Sequence, residues 1–170
     1  GAQGLRYAKL EIQSYEDGVV TAVIEEVGYE SGETVHTLTA ASSDAWVQIR
    51  LSEGVAPVHG EEASWDVAVS RTRWRTNSGT SGDGTAAAVM VPQTLDSITE
   101  VPTQGFLVDT MVPNPGPPGS GEFSGSPALN EWFDYDSQSQ SVAPKEVAFV
   151  IRLDGGDYAK LAIDDYDDGV

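Results

Sequence analysis

Apolar residues in this chain recur at every second position, not at every third or fourth. Across residues 7–15, Ala8, Leu10 and Ile12 share one side while Lys9, Glu11 and Gln13 share the other. That is the pattern of a strand with one buried and one solvated face. Residues 19–27 follow the turn Glu16-Asp17-Gly18 and are rich in β-branched side chains, so the two runs read as a hairpin. Further strands are expected at residues 34–39, 46–51, 65–75, 85–91, 106–111, 132–135, 147–153 and 157–164, most of them bounded by Gly, Asn, Asp, Ser or Pro. A short helical turn is expected at residues 40–45, opened by a Thr or Ser cap. The class is therefore all-β with at most a short helix, its sheets antiparallel. Two segments read as loops: the polar, glycine-rich residues 76–84, and residues 112–127 with five prolines and four glycines. Neither is expected to hold a strand ladder.

Twenty-seven Asp and Glu against nine Lys and Arg give a net charge of -18, which makes nucleic acid or an anionic membrane surface a poor partner. With no cysteine in the chain, disulfides, thiol catalysis, thiolate zinc sites and c-type haem attachment are all excluded. No apolar run approaches the roughly 20 residues that span a bilayer. The opening Gly1-Ala2-Gln3-Gly4 is neither a signal peptide nor a methionine start, so the chain is expected to be processed, trimmed or cut from something longer.

The most informative feature is an internal repeat. Tyr7-Ala8-Lys9-Leu10-Glu11-Ile12-Gln13-Ser14-Tyr15-Glu16-Asp17-Gly18-Val19 recurs as Tyr158-Ala159-Lys160-Leu161-Ala162-Ile163-Asp164-Asp165-Tyr166-Asp167-Asp168-Gly169-Val170, with nine of thirteen positions identical at an offset of 151. After the first copy the chain runs on into a second strand, and after the second copy it does not. Three readings fit. The chain can be one period of a tandem array, a subunit whose C-terminal hairpin is completed by a neighbour's N-terminal strand, or a domain with a duplicated hairpin. Exchange of the second kind propagates into a filament unless it closes into a ring. Val19, Val20 and Val23 would supply the added strand, and Leu161 and Ile163 the apolar side that receives it.

Several ordered segments carry a resemblance to a known family. Trp65-Asp66-Val67-Ala68 is followed by Arg71, Asn77 and Ser81-Gly82, then by Val101-Pro102-Thr103, Gly105-Phe106, Val108-Asp109, residues 149–152, Ala159-Lys160 and Asp165-Tyr166. In this order they resemble the HmuY-like family of secreted or lipid-anchored, β-rich haem-binding proteins of Gram-negative bacteria, over residues 35–170. The resemblance implies a HmuY-like antiparallel sandwich, an extracellular or cell-surface location with outer-surface anchoring, and haem as the cofactor. Residues 1–34 then look like the C-terminal hairpin of a preceding copy or a donated strand, and residues 35–170 like a HmuY-like domain without its last strand. In that frame Trp65 is expected in the core, and Arg71 against a carboxylate or backbone carbonyls.

In the best-known type of the family two histidines or methionines ligate the haem iron, one after the Val-Asp strand and one after the Trp-containing strand. Here the first connection, residues 113–127, has no His, Met, Tyr or Cys. Met111 and Tyr135 are the nearest candidates. Met111 ends an apolar strand, and a methionine there is more often core than ligand. Tyr135 can hold ferric haem as tyrosinate or pack as a strand aromatic. Hemin is therefore expected to bind only loosely. His36 and His59 lie away from the family's ligand positions and form no metal motif. Asp165, Asp167 and Asp168 could offer oxygens to calcium, but EF-hand spacing is absent. No nucleophile elbow, HExxH or phosphate-cradling loop before a helix is present, so a binding or structural module is expected, not an enzyme. The reading is a repeating or strand-exchanging unit of a bacterial surface assembly, associating with itself. The alternatives are haem capture and a calcium-stabilised binding module.

Overall fold

The computed structural model describes the backbone of residues 6–16, 19–27, 34–40, 46–51, 56–58, 64–115, 117–139 and 141–166, and the side chains of 46–51, 64–115, 117–139 and 141–163. The strands in chain order are β1 (Arg6–Glu16), β2 (Val19–Val27), β3 (Thr34–Ala40), β4 (Val47–Arg50), β5 (Ala56–Val58), β6 (Val67–Ser70), β7 (Arg73–Thr76), β8 (Ala87–Val91), β9 (Thr110–Pro113), β10 (Glu122–Gly125), β11 (Phe133–Asp136), β12 (Ser141–Pro144), β13 (Ala148–Arg152) and β14 (Tyr158–Tyr166). Two single helical turns, Leu95–Ser97 and Leu129–Glu131, interrupt them. A six-stranded sheet runs β3-β2-β1-β14-β13-β8, a four-stranded sheet runs β5-β4-β6-β7, and β9-β10 and β11-β12 are separate two-stranded sheets. The all-β, mostly antiparallel class is the one the period-two pattern implied. The helical turn expected at residues 40–45 lies outside the described residues, apart from Ala40 at the end of β3.

Some strand boundaries differ from expectation, each for a local reason. Residues 65–75 form a hairpin instead of one strand, because the chain reverses after Ser70 with Arg71 at φ 56. A left-handed residue that is not glycine leaves no composition signal. Residues 112–127 do hold a ladder: Val112 registers with Phe123 and Pro113 with Glu122. A two-stranded sheet is all edge, so Pro113 needs no inward N–H. The prolines and glycines gather at the hairpin's tip, where Asn114 closes onto Gly121 and Ser120. The short strands β5 and β12 gave no sequence signal strong enough to find them.

The main core fills the space between the two large sheets. Ile49, Val67, Val69 and Trp74 come from the four-stranded sheet, Phe149, Ile151, Ala159, Leu161 and Ile163 from the six-stranded one, and Leu129 and Trp132 seal one end. Trp132 satisfies its indole by donating from Nε1 to the Thr72 carbonyl at 2.9 Å. Trp74 is fully buried with no partner for Nε1, an orphan donor that costs about 1–3 kcal/mol. Trp65, expected in this core, is only half-buried, outside it. Its neighbour Asp66 is the inward residue, its Oδ2 accepting from the Leu51 N–H at 2.7 Å. The alternation is displaced by one position, and in a strand one position changes the face.

A second, smaller core lies on the opposite face of β13 and β14, where Ala148, Val150 and Ala162 meet Leu95 and Ile98. Lys160 is completely buried beside it. Its ammonium donates to the carbonyls of Leu95 at 3.1 Å and Ile98 at 2.8 Å, tying the helical turn to the sheet. Charge-assisted bonds to carbonyls make burial of an ammonium tolerable.

Candidate functional site

The two copies of the repeat lie side by side. β1 and β14 pair in parallel, with Arg6 registered on Ala159, Tyr7 on Lys160, Ala8 on Leu161 and Leu10 on Ile163, before a bulge shifts Glu11 onto Asp165. Tyr7 is the repeat counterpart of Tyr158 yet sits opposite Lys160, two residues on. Up to that bulge the displacement is an even two residues, and beyond it Glu11 and Ile12 register three residues on, with Asp165 and Tyr166. The edge of β14 therefore takes β1, not β2. Val19, Val20 and Val23 lie one strand further out, registered with Glu16, Tyr15 and Glu11 on one side. Val20 and Val23 also register with Ala40 and Thr37 of β3 on the other. Leu161 and Ile163 are each 3% exposed and belong to the main core.

A second locus is the base of the β9-β10 hairpin. Asp109, 1% exposed, accepts from the Thr76 hydroxyl at 2.6 Å and the Thr76 N–H at 2.9 Å, while its own N–H donates to Ser78 Oγ at 3.2 Å. Burial pushes its carboxyl above the usual carboxylate range, against the hydrogen bonds from Ser81 and Thr76 and the charge of Arg75. Gly79 sits at φ 52 so close that a Cβ would overlap the Asp109 carbonyl oxygen, which explains the glycine-rich loop there. Ser124 of β10 donates to Thr80 at 2.6 Å and lies 3.0 Å from Ser81 Oγ. The base is thus held from several sides. Beside it the surface is apolar: Leu107 and Val108 are each 47% exposed and Met111 is 52% exposed. Met111 is therefore not the core residue its apolar strand suggested.

Tyr135 stands on β11, registered with Val142, and is 46% exposed. It belongs to a different two-stranded sheet from Met111. His36 is on β3 and His59 lies outside the described residues. Asp165 is on β14, whereas Asp167 and Asp168 lie outside the described residues. Among the described residues no three His, Cys, Asp or Glu side chains converge as a metal site, and no helix is long and apolar enough to cross a membrane. An open groove of about 490 Å³ follows the turn that Lys160 holds, lined by Val91, Gln93 and residues 97–103.

Two groups escaped notice from the sequence. Lys160 interrupts an apolar strand, and the adjacent Leu107 and Val108 cannot both face inward. Each was a visible break in alternation.

The family model described as HmuY protein matches residues 42–170. Among solved structures, the chain is similar to the apo HmuY analog TFO of Tannerella forsythia, at TM-score 0.46 and 19% identity over 74% of this chain and 72% of that one. It is similar to a candidate lipoprotein of Bacteroides fragilis, at TM-score 0.51 and 13% identity over 86% and 81%. A third likeness is to apo PinO of Porphyromonas gingivitis, at TM-score 0.49 and 12% identity over 91% and 85%. No curated protein matches the chain.

Proposed function

The chain belongs to the HmuY family, and from that premise we propose that it is an extracellular β module serving as a repeating or strand-exchanging unit of a bacterial surface assembly. The observation that carries this reading is the parallel seam between β1 and β14. The six-stranded sheet accepts one copy of the repeat against the edge of the other. A strand supplied by a neighbouring copy could take the same place, because exchange of an identical element creates no new contact. The family's secreted and lipid-anchored members support the location, as does the Bacteroides fragilis neighbour's description as a lipoprotein.

The absence of cysteine makes the test clean. Arg6 and Ala159 are register partners, and neighbouring strands lie about 4.8 Å apart, within disulfide reach. A chain carrying Arg6→Cys and Ala159→Cys should form covalent oligomers on a non-reducing gel as protein concentration rises. Intrachain disulfides alone at every concentration would refute exchange.

Haem capture is the second reading, favoured by the exposure of Met111 beside Leu107 and Val108 and by that of Tyr135. A one-to-one hemin titration giving a Soret band that Met111→Ala or Tyr135→Phe abolishes would establish it. A broad, substoichiometric spectrum indifferent to both changes would remove it.

A further inference from the structure

Strand β14 lies between β13 and β1, and both of its sides make demands there. Ala159, Leu161 and Ile163 enter the main core. On the other side the buried Lys160 gives its ammonium to the carbonyls of Leu95 and Ile98. Ala162, 6% exposed, belongs to the smaller core with Leu95, Ile98, Ala148 and Val150. The first copy of the repeat meets almost all of these demands. Of residues 158–163, five recur at the offset of 151, as Tyr7, Ala8, Lys9, Leu10 and Ile12. The exception is Glu11, which stands where the second copy has Ala162.

We propose that Glu11 decides which copy of the repeat occupies the place beside β13: it bars the β1 of a second copy from replacing β14, and so confines exchange between copies to the seam. As a statement about exchange between chains, the inference rests on the self-assembly reading above. Without the Glu11 carboxylate, β1 has the residues to fill that place, with Lys9 offering an ammonium to the same two carbonyls. With it, a charged group must enter a site that holds a methyl. Burying an ionised carboxylate among apolar side chains is costly, and the added atoms overpack the site. Residues two apart on a strand share a face, so the cation within reach there is the Lys9 ammonium. Pairing with it would draw that ammonium from the carbonyls it must satisfy. The seam makes no such demand. Residues 6–10 register on residues 159–163, and Glu11 falls just past the point where that register breaks.

Two engineered disulfides in the full chain tell the two places apart. Arg6→Cys with Ala159→Cys reports the seam. Tyr7→Cys with Arg152→Cys reports replacement, because Arg152 registers with Tyr158, the counterpart of Tyr7. In the present order β14 separates those two cysteines by two strand spacings, about 9.6 Å, beyond disulfide reach. The 7/152 link should be absent while Glu11 is present. It should appear in Glu11→Ala, between chains as protein concentration rises, and Lys9→Met added to Glu11→Ala should abolish it. A second measurement is independent of the cysteines: Ala162→Glu, which writes the first copy's residue into the second, should lower the melting temperature by roughly 5 °C or more. A 7/152 link that forms with Glu11 in place, or that stays absent in Glu11→Ala, overturns the proposal, and 6/159 oligomers that still form leave the seam standing. An unchanged melting temperature in Ala162→Glu overturns it as well. If 6/159 links form only within chains, exchange between copies is refuted, and Glu11 keeps or loses its role on whether Glu11→Ala forms the 7/152 link within one chain.

Discussion

The two cores of this protein are built on opposite faces of one strand and are held by different forces. On one face of β14, Ala159, Leu161 and Ile163 join Trp74, Trp132 and Phe149 in the main core. There apolar volume dominates, since each large aromatic buries on the order of 150–250 Å². On the other face, Ala162 and a buried ammonium meet the turn at Leu95 and Ile98. There one side chain's hydrogen bonds reinforce a smaller apolar contact. The difference implies that damage to the main core should be global, whereas damage to the smaller one should be local.

The comparison can be broken most directly at the aromatics. Trp132→Ala should lower stability by about 3–5 kcal/mol in urea unfolding, whereas Trp65→Ala, outside the core, should cost clearly less; equal losses would mean that the cores are wrongly apportioned. Next in size, Lys160→Met should leave the Leu95 and Ile98 carbonyls unsatisfied at about 1–3 kcal/mol. Its signature should be faster hydrogen exchange and proteolysis across residues 95–103 with β13 still protected. Uniform loss of protection would make the two cores one cooperative unit.

A smaller effect is expected at Asp109. Because its folded carboxyl titrates above the ordinary range, the folded state binds protons more tightly than the unfolded state. Its contribution to stability therefore falls as pH rises from the unfolded carboxylate value through the raised one. Asp109→Asn should remove that part of the slope, read as the change in urea midpoint between mildly acidic and neutral pH. The smallest effect belongs to Tyr135→Phe, which should leave stability within about 0.5 kcal/mol, because the ring is largely exposed. A larger loss would place Tyr135 in a contact that its exposure does not suggest.

Much of this was legible in advance where alternation was strong. The runs that became β1 and β14 were readable because apolar and polar residues alternate with period two, and those that became β2 and β13 because they are β-branched or continuously apolar. The hairpin at Arg71 was not, because nothing in Ser70-Arg71-Thr72 marks a reversal. The ladder at Val112 and Pro113 was hidden by prolines that a two-stranded sheet tolerates. For the candidate sites, the family resemblance singled out Met111 and Tyr135 as the side chains nearest its iron-ligand positions. It could not say that they stand on separate hairpins, nor that Leu107 and Val108 would be exposed beside one of them.

By itself, then, the sequence determined the all-β class, the family and the repeat, since these depend on local periodicity and on residue identity in order. Tertiary structure alone decided which edges meet: that β14 receives β1 in parallel, that Asp66 and not Trp65 turns inward, and that Lys160 ends beneath two carbonyls. The physical reason is that strand pairing and burial are settled between segments far apart in the chain, by which faces can exclude water together, and no window of neighbouring residues contains that information.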